Sequence, residues 1–224
     1  MEFMKTFKFE YHSSSIEIAI LPRPPSFFVP DVYRVIEDFN KQNNSSARLL
    51  RPSVADYLLT SNIWTDCLPS NPFPTDAIVA YDAPSLPLQK EIVFDDPLGT
   101  LIFPVPKEFV GHKNIVIAAT DLKSQNFKKE GEHTIITDCS PVVFTDFPEK
   151  SGSWQKYDKK FILPHGKPST TDARCLSRKT SSYVGFLSRD SELIPGVYGN
   201  GKLDVNAYTN SSDILDLIVE LKSK

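Results

Sequence analysis

The chain has 224 residues, 40% of them hydrophobic, and 25 Lys and Arg against 28 Asp and Glu, a net charge of −3. That length fits one elaborated domain or two small lobes. The mild acidity speaks against a dedicated nucleic-acid binder, and no apolar run approaches the roughly 18 residues that span a membrane. Cys67, Cys139 and Cys175 lie far apart without a C-x-x-C pair. An odd number of cysteines leaves no complete disulfide framework, so reduced thiols in a soluble, cytoplasmic protein are expected. The first apolar run, residues 16–21, is too short for a signal-peptide core.

The reading along the chain predicts a mixed β-sheet of α/β or α+β class. Thr6 to Tyr11 and Ser14 to Leu21 alternate and are β-rich, with a hairpin turn at His12-Ser13-Ser14. Thirteen of the 18 prolines precede residue 107, so extended segments and rigid connections dominate this half. Asp31 to Gln42 carries Val32, Val35, Ile36 and Phe39 at helical spacing, with Glu37 and Lys41 on the wet face. Ala47 to Arg51 reads as a short strand. Ser53-x-x-Asp56 has capping-box form and opens a second helix over 53–65. Ala77 to Tyr81 reads as a buried strand. Residues 16–82 therefore spell β-α-β-α-β, an order that favours a parallel sheet. The turn after the first strand contains no glycine, so the dinucleotide fingerprint is absent.

From Glu91 the pattern turns to hairpins. Glu91 to Asp95 and Thr100 to Val105 flank Asp96-Pro97-Leu98-Gly99, Asn114 to Thr120 is a continuous apolar strand, and Asp121 to Lys129 suits a short helix. His133 to Thr137, Val142 to Thr145, Tyr183 to Leu187 and Lys202 to Tyr208 are strand-like, with Asn200-Gly201 as a two-residue turn. Ile214, Leu217, Ile218 and Leu221 fall at helical spacing, predicting a C-terminal helix over 212–222. One domain over residues 1–224 is expected. A soft boundary near 130–150 would separate the β-α-β-α-β lobe from a β-rich lobe.

The segment from Lys150 to Arg189 holds nine basic and two acidic residues, +7 in an acidic chain. Within it His165-Gly166-Lys167, Thr170, Thr171, Arg174 and Arg178 combine a glycine, cations and hydroxyls, the ingredients of an anion site. A solvated loop bracketed by Pro164 and Pro168 is the plainer reading of the same residues. Cys175 among cations, with His165 as base and Asp138 or Asp172 as orienter, would make a thiolate nucleophile; a small buried thiol is the plainer reading of Cys175. Gly196 to Lys202 has phosphate-loop spacing, but Leu203 stands where a hydroxyl is required and the context is a hairpin. Asp82, Asp121 and Asp138 end apolar runs, where open sheets place functional groups and where solvated strand ends are also common. The four histidines are too scattered for a metal motif, and no cofactor is identified. Trp154, Tyr157, Phe161 and Tyr183 interleave with the cations, yet the acidic remainder would repel a polyanion, so nucleic acid is not the expected partner.

Three functions fit these residues. The first is a cytoplasmic binding protein for a small anionic or phosphorylated ligand, or for an acidic protein surface, using Lys167, Thr170, Thr171, Arg174 and Arg178. The second is an enzyme on a phosphorylated or acyl substrate, using His165 or Cys175. The third is an assembly subunit docking on a protein partner.

Overall fold

The computed structural model describes residues 5–22, 24, 28–60, 73–82, 87–96, 98–113, 115–144, 154–157, 161–164, 182–189, 203–206 and 217–221. The architecture is mixed α+β, with few helices and several sheets. The elements are β1 (Thr6–Tyr11), β2 (Ser14–Leu21), α1 (Val29–Asn43), β3 (Ala47–Leu49), α2 (Pro52–Thr60) and β4 (Phe73–Asp82). They continue with β5 (Glu91–Asp96), β6 (Gly99–Pro104), β7 (Val116–Ala119), β8 (Phe127–Glu130), β9 (His133–Ile136) and β10 (Val142–Phe144). The last are β11 (Trp154–Tyr157), β12 (Phe161–Pro164), β13 (Ser182–Arg189), β14 (Leu203–Asn206) and β15 (Leu217–Leu221).

The first sheet has the order β1-β2-β15-β3. Its β1–β2 hairpin turns at His12 (φ 46°) and Ser13 (φ 62°), two consecutive left-handed residues. That mirror-image turn matches the twist of the strands it joins. The expected order β-α-β-α-β is present along the chain, but a parallel sheet does not form from it. β2 and β3 do point the same way, because each pairs antiparallel with β15, which lies between them. The crossover through α1 thus spans a gap of one strand, and a segment from far along the chain fills it.

That segment is the one expected to be helical. Leu217–Leu221 is instead a strand, and the rest of the expected helix lies outside the described residues. Leu217, Ile218, Val219 and Glu220 are all buried. A strand covered on both faces needs a continuous apolar run, and such a run also satisfies a helical stripe, so periodicity does not separate the two. Here the two faces meet different cores. Leu217 and Val219 join Ala19, Leu21 and Leu49 in the large core beneath α1, while Ile218 joins Phe9, Ile16, Ile18 and the α2 residues Val54 and Leu58. The short helix expected over Asp121 to Lys129 is likewise corrected. A single 3-10 turn at Ser124–Asn126 leads directly into β8, which pairs with β9. Phe127 is its one buried residue, followed by exposed Lys128, Lys129 and Glu130, so the pairing with β9 and not a burial pattern sets it as a strand.

β4 is central to a second sheet, β10-β7-β4-β13-β14, and a third has the order β5-β6-β9-β8. Among the described pairings β6–β9 is parallel and the others antiparallel. The hairpin expected at residues 91–105 is β5–β6, closed by Gly99 (φ 149°), where a side chain would come within 3.3 Å of the Phe28 ring. The large core takes side chains from all three of these sheets and from α1, including Val32, Ile78, Phe103 and Ile117. No helix of the described residues is long and apolar enough to cross a membrane.

Candidate functional site

A cavity of about 310 Å³ opens beside α1, β3, the buried start of β4 and the loop after β7. On α1 it is lined by Tyr33, Ile36, Glu37 and Asn40. These are spaced i, i+3, i+4, i+7, one stripe of the helix that is apolar toward the core and polar toward the mouth. Asn40 holds the helix to the next strand. Its Oδ1 accepts from the Ala47 N–H at 2.6 Å and the Ser45 hydroxyl at 2.8 Å, and its Nδ2 donates to the Ala47 carbonyl at 2.9 Å. On the opposite wall the loop is braced by Asn126, whose amide accepts from the Lys123 N–H at 2.8 Å and donates to the carbonyls of Thr137 and Asp138 at 3.0 Å each. Both walls are therefore fixed by side-chain amides, Asn126 buried and Asn40 half-buried.

Asp76 is the buried polar group of this cavity. It is 2% exposed, and its N–H donates to the Leu50 carbonyl at 2.8 Å, tying the second sheet to the end of β3. Its carboxylate accepts from the Tyr33 hydroxyl across a long 3.4 Å and from the Asp121 backbone N–H. Burial, then the Asp121 charge, raise this carboxyl from its ordinary 3.8 to about 7, against the pull of Arg48 and of the Asp121 N–H. Burial and the neighbouring Asp76 hold the Tyr33 hydroxyl well above its ordinary value, so it remains a neutral donor.

The surrounding charges are paired. Arg48, on β3, reaches Asp121 at 2.8 Å and Glu220 at 3.4 Å, while its buried Nε has no hydrogen-bond partner among the described residues. Glu220, on β15 and 4% exposed, accepts from Arg51 Nε at 3.0 and 2.9 Å and from the Arg51 backbone N–H at 2.7 Å. The Arg51 guanidinium also lies 5.9 Å over the Tyr11 ring, which meets Tyr57 edge-on at 5.1 Å. At the mouth Glu37 pairs with Lys41 at 2.6 Å and accepts from the Ser124 hydroxyl, and these two hydrogen bonds lower its carboxyl below the ordinary value.

Of the strand-end acids singled out in the sequence, Asp121 lies on this cavity in a left-handed conformation (φ 56°), which short polar side chains tolerate. Asp138 has the same conformation (φ 52°) and braces β9 through its carbonyl to Asn126. Cys139 is half-buried against the large core, where burial raises its thiol above the ordinary range, as expected of a packing residue. His165, Lys167, Thr170, Thr171, Asp172, Arg174, Cys175 and Arg178 lie outside the described residues, as do Cys67 and the Asn200-Gly201 turn. Among the described residues no group of three metal-ligating side chains converges.

Sequence reading passed over Asp76, Arg48, Arg51 and Glu220. One signal was available. Glu220 interrupts an apolar run, and a charge inside a buried strand requires a partner of opposite sign, for which Arg48 and Arg51 on the nearby short strand were candidates. Compared with family models, curated proteins and solved structures, the chain matches none of them.

Proposed function

We propose that this protein binds a small polar molecule in the cavity between α1, β3, β4 and the loop after β7. One observation carries the reading: Asp76 is 2% exposed, lines the cavity and, among the described residues, meets one side-chain donor, Tyr33 at a long 3.4 Å, besides the Asp121 backbone N–H. A buried carboxyl so weakly partnered disfavours folding, and groups of that kind concentrate at binding and catalytic sites. The volume of about 310 Å³ is at the lower end of the ~300–1,000 Å³ usual for small-molecule clefts. Thermal unfolding of the full chain across a panel of small polar metabolites tests it. The expected result is a compound that stabilises the wild type and loses its effect in Ser46→Trp, which narrows the mouth from an exposed lining position. A panel without a stabiliser, or stabilisation that survives Ser46→Trp, overturns the reading.

Charge clustering favours a second reading, an anion site on the basic segment. It rests on the +7 of residues 150–189 and on Gly166 beside Lys167, with Thr170, Thr171, Arg174 and Arg178 as the remaining contacts. Stabilisation by inorganic phosphate that disappears in the double variant Lys167→Ala/Arg174→Ala is its expected result. Stabilisation retained in that variant removes it. In the enzyme form of this reading Cys175 alone alkylates quickly, with a midpoint well below pH ~8.

A further inference from the structure

The groups that face Asp76 come from four elements: Tyr33 on α1, Arg48 on β3, Glu220 on β15 and Asp121 after β7. With Arg51, which clamps Glu220, they form one cluster. Three carboxylates, Asp76, Asp121 and Glu220, stand against two guanidiniums, Arg48 and Arg51. Both guanidiniums are already engaged. Arg51 places Nε at 3.0 and 2.9 Å from the two Glu220 oxygens, and Arg48 divides itself between Asp121 and Glu220. Tyr33 donates a hydrogen bond but no charge. At the rim Glu37 is neutralised by Lys41. Lys123 is exposed and forms no ion pair with another described residue. Among the described residues Asp76, Asp121 and Glu220 are therefore one positive charge short, exposed Lys123 at the rim aside, and the shortage falls on the buried member that lines the cavity.

We infer that the cavity takes an organic cation, a molecule carrying a primary or secondary ammonium group, which docks on Asp76 and supplies the positive charge that the cluster lacks. The inference rests on the cavity being a binding site. In the absence of ligand the missing charge is met by a proton, consistent with a carboxyl raised to about 7. An ammonium group brings two or three N–H donors to a carboxylate whose Tyr33 contact is long, and a charge-assisted bond replaces a weak one. An anion entering the same space would meet Asp76 and Asp121, while the charge of Arg48 is already shared between Asp121 and Glu220 and only its buried Nε lacks a partner among the described residues. A neutral polyol would leave the charge shortage as it was. Binding of the ammonium releases the proton from Asp76 whenever that proton is present, so affinity falls as pH drops through the titration of Asp76.

The test uses the full chain and four probes with the same four-carbon backbone: 1,4-diaminobutane, 4-aminobutanol, 1,4-butanediol and succinate. Thermal unfolding is followed at matched ionic strength, with magnesium chloride as a further arm. The two amines are expected to stabilise, and the diol, succinate and magnesium to have no comparable effect. The amine effect is expected to vanish in Asp76→Asn and in Ser46→Trp, and the apparent amine affinity to be roughly tenfold weaker near pH 6 than near pH 8. Stabilisation by the diol or succinate that Ser46→Trp removes overturns the cation and leaves the cavity reading intact. An amine effect that persists in Asp76→Asn, or is matched by magnesium, also overturns it. If Asp76→Asn does not fold, an amine affinity that is the same at both pH values serves as the refutation. No shift with any probe overturns the cation and leaves the cavity reading to the wider metabolite panel.

Discussion

Glu220 and Asp76 are buried to the same depth, 4% and 2% exposed, and the protein treats them in opposite ways. Glu220 sits in the middle of the first sheet and receives three N–H groups of Arg51, with Arg48 behind them. Asp76 sits at the start of β4, beside open space, with a hydroxyl at 3.4 Å. Desolvation weighs on both, but Glu220 lies among guanidinium donors, whereas Asp76, beside a hydroxyl, retains its proton to about 7. Burial alone therefore does not mark a site. What separates a structural ion from a candidate binding group is the absence of a committed partner together with a cavity in front of it.

Removing the committed partner should have the largest effect. Glu220→Ala leaves two guanidiniums without their buried counter-charge, and a loss of about 3–5 kcal/mol in urea unfolding is expected. A loss below ~1 kcal/mol would place Glu220 in the same class as Asp76 and dissolve the contrast.

Asp76→Asn should act in the other direction. The folded carboxyl holds its proton up to about 7 and the unfolded one releases it near 3.8, so the folded state binds more protons between those values. Stability therefore falls as pH rises through that window, and the deficit is complete above about pH 7. The asparagine variant escapes it. Its unfolding free energy should exceed the wild type's by about 2–4 kcal/mol near pH 8 and match it near pH 4. An equal difference at both pH values would show that the effect is packing and not charge.

Arg48→Met sharpens the middle of the comparison. Arg48 is the cation that pulls the Asp76 carboxyl down, so its loss should move the Asp76 titration upward, read by carboxyl NMR, together with a stability loss of about 2 kcal/mol from unpaired Asp121 and Glu220 contacts. An unmoved titration would cut Asp76 out of the cluster. The smallest effect belongs to Tyr33→Phe. It removes one long hydrogen bond and should lower stability by no more than about 1 kcal/mol, measured in urea at neutral pH.

Local structure was legible wherever neighbours in sequence are neighbours in space. The β1–β2 and β5–β6 hairpins and α1 follow from alternation, turn residues and a helical stripe, all of them short-range signals. The C-terminal segment was not, because Leu217 and Ile218 turn to two different cores and the choice of strand depends on a gap between β2 and β3 that only the folded sheet creates. The site was partly legible. Asp121 was visible as an acid ending an apolar strand. Asp76 was hidden in Pro72-Phe-Pro-Thr-Asp76, where the prolines suggest a polar connection and the structure has a buried strand. The pairing of Glu220 with Arg51 spans 169 positions, beyond any motif.

That same separation bears on how the molecule is made. At about 5–20 residues per second of synthesis, Glu220 follows Arg51 from the ribosome by roughly 10–30 s. For that interval β2 and β3 have no strand between them, and each offers unpaired N–H and C=O groups to any other nascent chain. Closing so long a loop is also slow, since its entropy must be lost before the contacts reward it. Lys8, Glu10 and Glu17 on the neighbouring hairpin keep charge beside the open edge. The central strand of the first sheet is thus the last of the described strands to be synthesised, and folding yield should depend on what shields its place until it arrives.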